Sequence, residues 1–195
     1  MFFSVLSRVF RSGEVRKGKS CDSWFLCNFC KEEGKEKSCD FYVIFIKDML
    51  RMSSTATNTV NVRQNLKVIL DKLSEIYNET PETSRAVKTP RLVAVSKTKP
   101  KEMVIEAYEA GQRHFGENYP QELKEKSSDP EMLEKCPDIK WHFTGTVQSG
   151  NISKLVKSPN LSMIETISSS KQADKFQGSC KSNKVSGLGV MVQVS

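Results

Sequence analysis

The feature that most limits what this chain can fold into is a set of short apolar runs, each closed by polar residues and each followed by a stretch of helical periodicity. The first run, Leu92–Val95, has no polar residue in it. Such a run fits a strand buried on both faces, as strands of parallel sheets are. Pro100 then opens a helix at its first turn, Met103, Val104, Ala107 and Tyr108 form its apolar stripe, and Gly111 stops it. The pattern recurs. Arg113–Asn118 is a short strand followed by a helix from Pro120, and Ile139–Thr144 is a strand followed by a helix through Ile152 and Leu155. Leu161–Ile167 and Leu188–Val194 are two more strands, separated by a helix capped by the serines at 168–170. Strands alternating with helices predict an α/β fold with a parallel sheet, either doubly wound or a (β/α)8 barrel.

A helix precedes this succession. Val62, Leu66, Ile69, Leu70, Leu73 and Ile76 recur at helical spacing, and Pro81 with the polar stretch to Pro90 ends it. Before it the composition changes at about Met52. We therefore divide the chain into an N-terminal extension, residues 1–51, and a (β/α) domain, residues 52–195. In the extension Arg8, Arg11, Arg16, Lys17 and Lys19 face one acid, Glu14, among apolar residues over the first twenty positions. This composition suits a mitochondrial transit peptide, but a disordered or non-native leader, with Met52 as the usual start, is the preferred reading. Cys21, Cys27, Cys30 and Cys39 contain only one close pair, whereas a four-thiolate zinc site wants two, so no metal is expected.

Composition excludes further classes. The longest uncharged apolar run, Phe41–Ile46, is far too short to span a bilayer, which takes about 20 residues. The net charge of +7, from 30 basic and 23 acidic residues, is dispersed and gives no nucleic-acid footprint. Only Cys136 and Cys180 follow the extension, a sparse usage that fits a reduced, cytoplasmic protein. The mitochondrion is the alternative that the leader would bring.

Ligands of parallel α/β folds sit at the carboxyl ends of the strands. Those ends carry Ser96, Lys97, Thr98 and Lys99, then Glu117, Asn118 and Tyr119, then Gly145, Thr146 and Gln148, and finally Glu165 and Thr166. No P-loop and no Gly-x-Gly-x-x-Gly is present. Lys97 is the sharpest of these residues. Burial of a lysine disfavours its ammonium form, and a free amine is what Schiff-base formation with an aldehyde requires. On pattern alone the bland readings lead: Lys97 as a snorkelling lysine, Asn118 as the cap of the Pro120 helix, Glu117 as a solvated loop acid. His142, between Trp141 and Phe143, is expected to pack in or on the sheet. With only His114 beside it, hydrolase and metalloenzyme arrangements find no support.

Three motifs then carry a resemblance. Leu92-Val-Ala-Val-Ser-Lys-Thr-Lys-Pro100, His114-Phe-Gly-Glu-Asn-Tyr119 with Gln121-Glu-Leu123, and Ile139-Lys-Trp-His-Phe143 with Gly145 and Gln148 closely resemble the pyridoxal-phosphate homeostasis protein family, from about Val60 to Ser195. The resemblance implies a single TIM-type barrel related to the N-terminal domain of alanine racemase. It implies a non-catalytic protein that holds the vitamin B6 cofactor pyridoxal 5′-phosphate (PLP) as a Schiff base on a lysine, and that buffers or delivers it to PLP-dependent apoenzymes. Lys97 matches that lysine, Asn118 the pocket asparagine, and Lys99 keeps a structural role. Thr146 stands where the family often has histidine, so it brings a hydroxyl in place of imidazole, and Pro120 replaces an apolar residue.

A (β/α)8 barrel takes about 250 residues. The sequence from Met52 to Ser195 is much shorter, and about five of eight strands are expected, as an incomplete barrel truncated at the C-terminus. Phosphate-binding loops of such barrels follow strands seven and eight, so weak, readily reversible PLP binding is expected. The alternatives are a racemase- or decarboxylase-like PLP enzyme on the same barrel and a nonfunctional fragment.

Overall fold

The computed structural model describes residues 61–82 and 90–192, together with two short strands before them. The four-cysteine spacing and the leader reading fall on residues 1–51, which outside those two strands lie beyond the described residues. The chain divides into two compact units, Met1–Ala94 and Val95–Ser195.

In the first unit β1 (Phe25–Cys27) pairs antiparallel with β2 (Tyr42–Phe45), which in turn runs parallel to β3 (Arg91–Val95), with Ile44 opposite Leu92. Neither β1 nor β2 was expected from the sequence. Between β2 and β3 lies α1 (Val62–Glu79), which starts at Asn61, whose side chain accepts from the Gln64 amide at 2.8 Å. Val62, Leu66, Leu73 and Ile76 are its buried stripe, at the spacing that predicted it. It ends at Thr80, ahead of Pro81, where the Thr80 hydroxyl donates to the Ile76 carbonyl.

The second unit continues from the end of β3 through α2 (Lys101–Glu109), β4 (His114–Glu117), α3 (Pro120–Ser128), α4 (Pro130–Lys135), β5 (Lys140–Phe143), α5 (Ile152–Val156), β6 (Leu161–Ile167), α6 (Ser170–Ser182) and β7 (Gly189–Val192). β4, β5, β6 and β7 pair in chain order and all run parallel. This is the β–α succession of a barrel that has not closed, since β7 pairs with β6 alone among the described strands. The bounds of the five strands β3–β7 agree with those read from the sequence to within about two residues, whereas one helix was missed. α4 begins at Pro130 behind Asp129, whose carboxylate accepts from the Glu131 and Met132 amides.

Period-two alternation sorts the strand residues onto two faces. Phe115 is in register with Trp141, and Glu117 with Phe143. Glu117 reaches α3, so this is the face beneath the helices, where Phe115, Trp141, Phe143, Leu123, Leu155 and Ile164 are all buried. His114 and His142 lie on the opposite face. No described helix is long and apolar enough to cross a membrane.

Candidate functional site

The strand ends of the second unit are tied to one another by side chains. Ser96, the first residue past β3, donates its amide to the Gly116 carbonyl at 2.9 Å and its hydroxyl to Glu117 Oε1 at 2.7 Å. Lys126 of α3 completes the cluster. Its Nζ donates to the Ser96 carbonyl at 2.7 Å, to Glu117 Oε1 at 2.8 Å and to Glu122 Oε1 at 2.8 Å, which uses all three donors of an ammonium. Glu122 Oε1 also accepts from the Thr98 amide at 2.6 Å. Thr98 has φ +61°, in the left-handed region that a β-branched residue rarely enters. Lys97 stands between these anchored residues. It is half-buried, and its amine has no hydrogen-bond or ion-pair partner among the described residues.

Glu117 is a correction to the sequence reading. It is fully buried, and Oε2 has no hydrogen-bond partner among the described residues. Burial pushes its carboxyl above the usual glutamate range, against the opposing pull of the Lys126 ammonium and the Ser96 hydroxyl. A raised value means that the folded chain binds this proton more tightly than the unfolded chain. The resulting stability is complete below the ordinary value and is lost as pH rises through the folded one. The thermal midpoint of the protein should therefore fall relative to that of Glu117→Gln as pH rises above the ordinary glutamate range. A midpoint difference that stays constant, or that moves the other way, would contradict this.

The next strand ends are joined by hydroxyls and one close approach. Asn118 is not the cap of α3; that position is Tyr119, and it makes no side-chain cap bond. Instead Asn118 Oδ1 accepts from the Thr144 hydroxyl at 2.8 Å, and the Thr144 amide donates to the Glu117 carbonyl. The Gly145 backbone lies so close to Asn118 that an added Cβ would sit 1.9 Å from its carbonyl oxygen. The Thr166 hydroxyl donates to the Gly145 carbonyl at 2.6 Å, which brings in the end of β6. Thr146 follows Gly145 and is exposed. Each of Lys97, Asn118 and Thr146 is thus a chain neighbour of a residue in these ties. Lys99 is half-buried, and its amide closes the turn onto the Ser96 carbonyl at 3.0 Å.

Two arrangements escaped the sequence reading. Lys126 was not singled out, although it follows Leu123 by three positions on α3, which puts both on the buried face. The other is a chain of ring nitrogens and a carboxylate: His114 Nδ1 to His142 Nε2 at 2.8 Å, and His142 Nδ1 to Glu165 Oε1 at 2.6 Å. His142 packs in the sheet as expected, fully buried, whereas Glu165 is buried near the end of β6 with its carboxylate turned to His142. A cavity of about 390 Å³ lined by Ile167, Phe176, Cys180, Leu188 and Val190 includes none of the residues anticipated at the site. Among the described residues no group of histidines, cysteines and acids could hold a metal.

No protein-family model matches the chain. Among curated proteins it is 49% identical over 148 residues to the pyridoxal phosphate homeostasis protein of Mus musculus, covering 75% of this chain and 53% of that one. Over that stretch the chain is homologous to the pyridoxal phosphate homeostasis proteins. The human protein of the same name is 50% identical over 131 residues, 67% of this chain and 47% of that one. The chain spans about half the length of these curated relatives. Among solved structures, a protein of unknown function from Bifidobacterium adolescentis superposes with a TM-score of 0.58 at 23% identity, covering 71% of this chain and 58% of that one, which supports the fold.

Proposed function

We propose that this chain binds pyridoxal 5′-phosphate and holds it, without turnover, as a reversible Schiff base on Lys97. In this reading it serves cytoplasmic PLP homeostasis by keeping a reactive aldehyde sequestered and available to PLP-dependent apoenzymes. The observation that carries the proposal is the state of Lys97, a half-buried amine with no partner among the described residues, in a turn anchored on both sides. The homology to pyridoxal phosphate homeostasis proteins supports it.

The donor set fits the aldehyde end of the group. Two other lysines near these strand ends are committed, Lys126 to two glutamates and a carbonyl and Lys101 to Asp129 at 2.8 Å and Glu131 at 3.0 Å, while Lys99 shares the turn and the half-burial of Lys97. PLP, when bound, would supply an aldehyde, and Lys97 would be the amine that condenses with it, with one water leaving. Asn118, with its carbonyl oxygen held by Thr144, has its amide NH2 available to donate to the cofactor, and the Thr146 hydroxyl is open to do the same.

The test is a titration of the full chain with PLP, followed by the absorbance change from free aldehyde to imine. Saturation only with PLP in excess, at one PLP bound per chain and reversed by dilution, is the expected result. A change that never saturates, or that matches an equal concentration of free lysine, would refute the proposal.

A further inference from the structure

We infer that Lys126 and Glu122 of α3 clamp the backbone on either side of Lys97 and act as positioning residues, fixing the direction in which its amine leaves the turn. The inference rests on the reading of Lys97 given under Proposed function.

Lys126 could in principle serve only to neutralise the buried carboxylate of Glu117. One contact would be enough for that. Its other two donors go elsewhere: to the Ser96 carbonyl, the peptide group immediately before Lys97, and to Glu122 Oε1. The same Glu122 oxygen accepts from the Thr98 amide, immediately after Lys97. The peptide groups that bracket Lys97 are therefore bound to two side chains one helical turn apart on α3, which are ion-paired to each other. The contact to the Thr98 amide also supports the unfavourable left-handed conformation at that residue.

The geometry has a consequence for reactivity. A lysine side chain has several rotatable bonds, and a reaction at its tip is fast only when the backbone end is held in one productive direction. A buried ion pair is a poor device for stability alone, since apolar residues of similar volume serve as well or better. A clamp on a reacting residue gives this one a role that packing would not.

The clamp is tested with the full chain and the variants Glu122→Ala, Glu122→Gln and Lys126→Met. Glu122 is partly exposed, so Glu122→Ala is expected to fold, and circular dichroism with a thermal melt checks this. Lys126→Met leaves Glu117 buried without its cation and is read only if it melts cooperatively. Without any cofactor, hydrogen exchange of the Thr98 amide should be faster by about tenfold or more in Glu122→Ala and near the parent rate in Glu122→Gln, which keeps an acceptor oxygen. With PLP and borohydride, the ratio of label on Lys97 to label on Lys99 should fall by about fivefold or more in Glu122→Ala and recover in Glu122→Gln. If the parent labels Lys97 selectively and Glu122→Ala leaves both exchange and ratio unchanged, the clamp is wrong and the Lys97 reading stands. If the parent itself shows no preference for Lys97, that reading fails and the clamp fails with it.

Discussion

Lys97→Ala should reduce borohydride-fixed PLP on the full chain by about tenfold or more, while the thermal midpoint stays within the range of a surface substitution. The expectation follows from how the amines near the strand ends are used. Lys126 and Lys101 are each held by two carboxylates, and covalent attachment would break those contacts. Lys99 lies two residues on in the same turn and is also half-buried, which makes Lys99→Ala the matched control: it removes a lysine from the same loop and should keep the label. Loss of label in Lys97→Ala together with a lowered midpoint would point to unfolding. Retained label would mean that Lys97 is an ordinary loop lysine.

The second large effect is expected at Gly145. An alanine Cβ there would stand 1.9, 2.7 and 2.9 Å from the carbonyl oxygen, carbonyl carbon and Cα of Asn118, all backbone atoms that cannot rotate away. The strand ends must part by more than an ångström, and the contacts of Thr144 to Asn118 and of Thr166 to the Gly145 carbonyl lie at that junction. Overpacking with loss of these bonds should cost on the order of 3 kcal/mol. For a chain of this size that is a fall of roughly 6–12 °C in midpoint. Gly150→Ala meets nothing within 4 Å and should change the midpoint little. If Gly145→Ala melted with the parent, the close approach of Gly145 to Asn118 would not exist in solution.

The elements legible in the sequence are those whose signal is local. The run Leu92–Val95 reads as a buried strand because nothing polar interrupts it, and α1 reads as a helix because Val62, Leu66, Leu73 and Ile76 keep one face. The α4 start is also local, Asp129 followed by Pro130, although the sequence reading has a single helix between these strands, from Pro120. β1 is only three residues long and lies in a segment whose composition reads as a leader.

At the strand ends, the rule pointed to Lys97, Asn118 and Thr146 among others, but it could not give the partners of Glu117 and Asn118. Glu117 looks like a loop acid because the cation that accompanies it, Lys126, is nine positions away and meets it only when α3 folds over β4. Asn118 looks like a cap because it precedes Pro120, yet Thr144, twenty-six positions on, takes its side-chain oxygen. The His114, His142 and Glu165 chain depends on parallel register between three strands, which no single segment encodes.

The central claim is that one lysine of this chain is set apart for an aldehyde. It is tested most directly by mixing the full chain with sub-stoichiometric PLP, reducing with borohydride, and mapping the modified peptides by mass spectrometry. The account predicts label concentrated on Lys97, with Lys99, Lys101 and Lys126 nearly unmarked. Label scattered over the lysines in proportion to their exposure would contradict it.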